Sequence, residues 1–139
     1  EPEKKIEQVK QPEPESVTST PEEIEASIIE KYNTLFLDLK TEYEGKINEL
    51  IEQAKTEYFA LSEEERKTAK FKLGLKYLKL GTALEKECDE RFYSLLEQMK
   101  AELKENDLSL DSAENAEEKY KIEKKQRRKE LLEKALKKE

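Results

Sequence analysis

Residues 50–73 read LIEQAKTEYFALSEEERKTAKFKL, and the reading of this stretch decides the fold. Up to Leu61 the apolar residues recur at helical spacing. At Ser62 the pattern stops, and Glu63, Glu64 and Glu65 follow at once. A hydroxyl with a carboxylate three residues on is a capping box, so Ser62 and Glu65 announce a new helix directly after the old one. Two helices joined by so few residues must fold back on each other.

Working outward, the first helix begins at Thr20, Pro21 and Glu23, which supply a cap hydroxyl, a proline at the first helical position and a reciprocal carboxylate. Its stripe runs Ile24, Ile28, Tyr32, Leu35, Leu39, Tyr43, Ile47, Leu50, Ala54, Tyr58 and Leu61. Every step is three or four, averaging about 3.7, which is nearer an 11-residue repeat than a heptad. The second helix carries Ala69, Leu73, Tyr77, Leu80, Leu84, Cys88, Phe92, Leu95, Met99 and Leu103. Reflecting the chain about Ser62 pairs Ile24 with Met99, Ile28 with Leu95, Leu39 with Leu84, Tyr43 with Leu80 and Leu50 with Leu73. The apolar layers match, which supports a hairpin independently of either stripe.

Past a break at residues 105–110, Asp111 and Glu114 form the expected start of a third helix. Its stripe is thin. Ala113, Ala116 and Tyr120 lie at one end, Leu131, Leu132, Ala135 and Leu136 at the other, and charge lies between them. The expected fold is therefore all-α: a long antiparallel coiled-coil hairpin with helices over about 21–61 and 63–105, and a partly docked third helix over about 112–137. Together they make an elongated three-helix bundle. Residues 21–139 form one domain.

Composition agrees. The chain has 139 residues, of which 44% are charged and 35% hydrophobic, with three glycines and no Trp. Such a chain cannot fill a broad core and suits thin helical architectures. Residues 1–20 hold Pro2, Pro12 and Pro14 among Glu and Lys, which predicts a disordered linker. Composition of this kind goes with tethers, and the start at Glu1 goes with an expected upstream anchor. The localisation expected on that basis is extracytoplasmic, on a membrane-anchored bacterial protein. A cytoplasmic location is the alternative.

Chemistry is argued mostly by elimination. There is no His, so nucleophile–His pairs and the usual near-neutral acid or base are missing. Gly45, Gly74 and Gly81 sit within helical patterns rather than in a phosphate-cradling loop. Cys88 is single, and the Glu85, Glu87, Asp89, Glu90 cluster reads as a solvated face rather than a metal site. No catalytic residue, metal or cofactor is assigned. The three glycines fall at one level of the reflected hairpin, which predicts a close approach or bend.

Two basic runs stand out. From Arg66 to Leu80 there are Arg66, Lys67, Lys70, Lys72, Lys76 and Lys79 with no acidic residue. Glu44, Glu49, Glu52 and Glu57 reflect onto the same levels, so these charges are expected to pair across the hairpin. The second run, Lys119 to Lys129, has no evident acidic partner. Partner-binding candidates are the hairpin tip, with Tyr58, Phe59, Leu61 and Phe71, and Lys124, Lys125, Arg127 and Arg128 of the second run.

The expected function is a non-catalytic structural or protein-interaction (adaptor) domain with another protein as partner. A homo-oligomer is compatible with it. The alternative is a module that binds nucleic acid or an anionic lipid surface through the basic runs.

Overall fold

A computed structural model describes residues 19–137 of the chain, so residues 1–18 of the linker expected over 1–20 lie outside the described residues. It contains three helices, α1 over Pro21–Phe59, α2 over Glu63–Glu105 and α3 over Asp111–Lys137. α1 and α2 pack extensively as a hairpin, and α3 packs more lightly. The fold is the all-α, three-helix bundle that the periodicity predicts. It divides into two compact units. One holds the start of α1 through Lys31, the end of α2 from Met99, and α3; the other holds Tyr32–Gln98, the hairpin proper.

Local chemistry explains each helix end. At the start of α1 the Thr20 hydroxyl accepts from the Glu23 N–H at 3.1 Å, and Glu23 accepts from the Thr20 N–H at 3.0 Å. At α2, Ser62 and Glu65 repeat this exchange at 3.1 and 2.9 Å. Being bonded to the Ser62 amide and hydroxyl holds the Glu65 carboxyl below the ordinary carboxylate range. α2 stops through a Schellman motif. The Leu108 N–H reaches the Leu103 carbonyl at 2.8 Å and the Asp107 N–H reaches Lys104 at 3.0 Å. Asp107 takes the left-handed conformation, φ 56°, that this motif requires.

The start of α3 departs from expectation. The first helical bond, from the Glu114 N–H to the Leu110 carbonyl, makes Leu110 the cap. The Asp111 amide is held instead by the Ser109 hydroxyl at 3.0 Å. Asp111 therefore stands inside the first turn, where its charge suits the helix dipole, and the Asp111/Glu114 box does not form.

Within the hairpin unit the buried residues are Tyr32, Leu39, Tyr43 and Ile47 from α1, and Cys88, Phe92 and Leu96 from α2. Phe36 stacks on Phe92 with centroids 4.9 Å apart. Between Phe92 and Met99 the seam is carried by Leu96, 1% exposed, while Leu95 is half-buried. Towards the turn the interior thins: Leu50, Ala54, Ala69, Leu73 and Tyr77 are half-buried, and Leu80 is exposed. Two helices alone cannot cover a seam on all sides.

In the other unit Ile28, Met99, Leu103 and Ala113 are buried. Along α3, Ala116, Tyr120, Glu123, Lys124 and Arg127 are half-buried, so polar side chains take over the inward positions where the apolar stripe fails. Ser112 Oγ is buried there with no hydrogen-bond partner.

The close approach predicted for the glycines is not found. A Cβ built on Gly45, Gly74 or Gly81 meets no atom within 4 Å, and all three lie in unbroken helix. Equal levels on two helices do not imply facing positions, and these glycines lie on faces that no backbone approaches.

Candidate functional site

The contact register decides which charges pair. Reflection would set Phe36 opposite Glu87, Glu42 opposite Gly81 and Glu57 opposite Arg66. The observed partners are Phe92, Arg91 and Lys76, five residues further along α2 for the rings and ten for the ion pairs. Lys31 and Glu102, 2.6 Å apart, show the same ten-residue slide. The tilt of every Cα–Cβ bond towards its own helix N-terminus acts in this direction, by about one position on each helix. On α1 side chains lean away from the turn, on α2 towards it, and long side chains extend the slide.

This slide overturns the expected neutralisation of the first basic run. Ten residues past their reflected positions, Glu44, Glu49 and Glu52 face the levels of Asp89, Leu84 and Gly81, none of them basic. Only Glu57 lands on a lysine. It accepts from Lys76 Nζ at 3.0 and 3.1 Å and from the Tyr77 hydroxyl at 2.6 Å. These bonds hold the Glu57 carboxyl low, the Tyr77 hydrogen bond most, and they raise the pKa values of both Tyr77 and Lys76. Glu52 pairs within its own helix with Lys55, at 3.8 Å.

Arg66 is also accounted for. Its Nε donates to the Tyr58 carbonyl at 3.2 Å and Nη2 to the Phe59 carbonyl at 3.3 Å, and its guanidinium stacks on both rings, 5.2 and 5.0 Å from their centroids. α1 has no basic residue in its last turn and no left-handed glycine after it. Arg66 reaches back from α2 to satisfy those carbonyls and oppose the dipole. Tyr58 and Leu61, expected as partner-binding residues, are half-buried, and Tyr58 serves this cap; Phe59 is exposed.

Lys67, Lys70, Lys72 and Lys79 remain, exposed and with no ion pair among the described residues. Alongside them Phe71 is 76% exposed, Leu75 48% and Leu78 65%. Steps of four and three place these three residues on one stripe, at helical angles opposite Leu73, Tyr77 and Leu84. Lys72 and Lys79 flank it on one side, and Lys67 and Lys70 on the other. α2 is thus apolar on two faces near the turn, one packed on α1 and one open. The sequence places Phe71 and Leu75 among the basic residues of this run; Leu78 completes the stripe, a signal present in the spacing but masked by the stronger stripe on the packed face.

The second basic run differs. Lys121 pairs with Glu117 at 3.4 Å, and Lys124, Arg127 and Arg128 each engage in interactions of their own. Lys124 and Arg127 are half-buried, while Lys125 is exposed. Part of the run is thus engaged, contrary to expectation, with Lys124 and Arg127 half-buried where α3 lacks apolar side chains.

Elsewhere in the hairpin unit, Arg91 clamps Glu42 through two hydrogen bonds of 2.8 and 3.1 Å, and Lys46 adds a contact at 3.3 Å. The Arg91 bonds, with Lys46 second, hold the Glu42 carboxyl down to about 2. The adjoining cleft, lined by Leu39, Tyr43, Leu84 and Cys88, is about 10 Å³, at most room for one water molecule. Leu39 and Leu84 both line it. Among the described residues no group of His, Cys, Asp and Glu is placed to hold a metal, and no helix is long and apolar enough to cross a membrane.

The fold and this open face together define an all-helical hairpin with a basic, apolar surface on its second helix. Compared with protein-family models, curated proteins and solved structures, the chain matches none.

Proposed function

We propose that the chain is a non-catalytic interaction (adaptor) domain whose docking surface is the outward face of α2 between Lys67 and Lys79. The observation that carries this reading is the exposed stripe Phe71, Leu75 and Leu78, set among Lys67, Lys70, Lys72 and Lys79, which have no acidic partner among the described residues. Exposed apolar residues in a contiguous stripe lower solubility and are retained where something covers them. Phe59 and Leu37 are exposed singly, which needs no such account.

The alternative of binding through basic runs gains more support for the first run, since Lys121, Lys124, Arg127 and Arg128 of the second have interactions of their own. Nucleic acid fits this face less well, because phosphate contacts favour basic and polar side chains over a central ridge of Phe and Leu. Extracytoplasmic tethering belongs to the same proposal, and its support is the Pro/Glu/Lys composition of residues 1–20. Cell fractionation tests it.

A photo-crosslinking residue at Phe71, compared in cells with one at the likewise exposed Leu37, tests the docking surface. The expected result is adducts from position 71 only, lost when Lys72 and Lys79 are changed to Glu. Identical adduct patterns at both positions, or none at 71, refute it.

A further inference from the structure

Resting on the docking reading, we infer that the occupant of this face is an anionic lipid bilayer surface, on which α2 lies in the plane of the headgroups between Lys67 and Lys79. Three observations favour a bilayer over other occupants. The first is shape. Phe71, Leu75 and Leu78 form a straight ridge about 10 Å long on a convex helix. A ridge without a groove beside it suits a planar, deformable surface.

The second observation is the order of residue types around the helix. Apolar side chains occupy the centre of the stripe, and lysines flank both sides, Lys72 and Lys79 on one and Lys67 and Lys70 on the other. Interfacial helices have this arrangement, because the ring and leucines enter the acyl boundary while lysine stems extend back to the phosphates. The third is charge. From Arg66 to Ala83 there is no acidic residue, although the whole chain carries a net charge of −7. Basic charge is concentrated on this segment, so an anionic surface meets a local attraction despite the global sign.

A second copy of the chain is a poorer occupant. Two-fold pairing of this face sets its lysines against the same lysines of the partner.

The chain has no Trp, so Phe71→Trp supplies a single indole reporter at the ridge. The full chain is mixed with vesicles of phosphatidylcholine plus phosphatidylglycerol, and with vesicles of phosphatidylcholine alone. The expected result is a blue shift and co-sedimentation with the mixed vesicles only, weakening as salt is added. A lysine near an anionic bilayer contributes about five-fold in affinity, so Lys72→Gln with Lys79→Gln reduces binding by roughly 25-fold. Phe71→Ser with Leu78→Ser reduces it by on the order of ten-fold per side chain. Both pairs are exposed, and unchanged helix content by circular dichroism verifies that the variants fold.

Equal binding to both vesicle types, binding that survives either pair of substitutions, or no binding at low salt overturns the inference. If vesicles fail to bind while position 71 still gives lysine-dependent adducts to a protein or nucleic acid, the bilayer is refuted and the docking surface stands. If sedimentation equilibrium instead shows a dimer that Phe71→Ser dissociates, the occupant is a second copy. If position 71 gives no specific adduct either, both readings fall.

Discussion

Replacing all three glycines by alanine should stabilise the protein. Gly45, Gly74 and Gly81 stand in continuous helix without positive φ, so each is paid for only in unfolded-state freedom and lost helix propensity. A Cβ at each site meets nothing within 4 Å, so no steric term opposes the change. Gly to Ala in an open helix interior is worth about 1 kcal/mol. The triple variant should therefore gain roughly 2–3 kcal/mol if the sites act independently. For a chain of this size that corresponds to a Tm rise on the order of 10 °C. Thermal melts followed by circular dichroism, with urea titrations to check that the m value is unchanged, provide the measurement. A fall in Tm for any single variant would refute the reasoning. It would mean that two backbones approach closely at that glycine, as the sequence alone had suggested.

Four further outcomes follow from named contacts. Arg66→Ala leaves the Tyr58 and Phe59 carbonyls without their side-chain partner and should destabilise the hairpin by about 1–2 kcal/mol in denaturant titration, whereas Arg66→Lys recovers only part, lacking the two-pronged donor. Asp107→Gly relieves a left-handed aspartate and should raise stability by about 1 kcal/mol; a decrease would show that the Asp107 side chain contributes more than its backbone strain. Ser112→Ala removes a buried hydroxyl without a partner and should be neutral to stabilising by about 1 kcal/mol in the same assay. Glu42 has its folded pKa lowered to about 2 by Arg91, so its contribution is present above the ordinary carboxylate pKa and is lost as pH falls from about 5 towards 2. Arg91→Gln should flatten stability against pH in that window, and an unaltered acid profile would sink the assignment.

Much of the candidate surface was legible in the residues but misread in its pairing. The first basic run was correctly seen as unusual, yet it was assigned to Glu44, Glu49, Glu52 and Glu57, and only the Glu57 pairing with Lys76 forms. The error came from treating backbone level as side-chain contact. In the observed register the acidic residues of α1 slide past these lysines and leave them exposed. Phe71 and Leu75 are legible among the lysines, whereas Leu78, which completes the open stripe, is not, because a helix with two apolar stripes yields its stronger one first. In the opposite direction, Lys124, Arg127 and Arg128 looked available and are engaged internally.

By itself the sequence determined what depends on neighbours within about four residues. The capping boxes at Thr20 and Ser62, the three helices, and the stripe of Ile28, Tyr32, Leu39, Tyr43 and Ile47 are of this kind, since caps and helical periodicity are local. Only the tertiary structure decided which side chains meet across the hairpin. It assigned Phe36 to Phe92, Glu42 to Arg91 and Arg66 to the end of α1, and it left Lys67, Lys70, Lys72 and Lys79 of α2 without acidic partners among the described residues. The physical reason is that contact between antiparallel helices depends on side-chain direction and reach as well as on level, and these act between residues tens of positions apart.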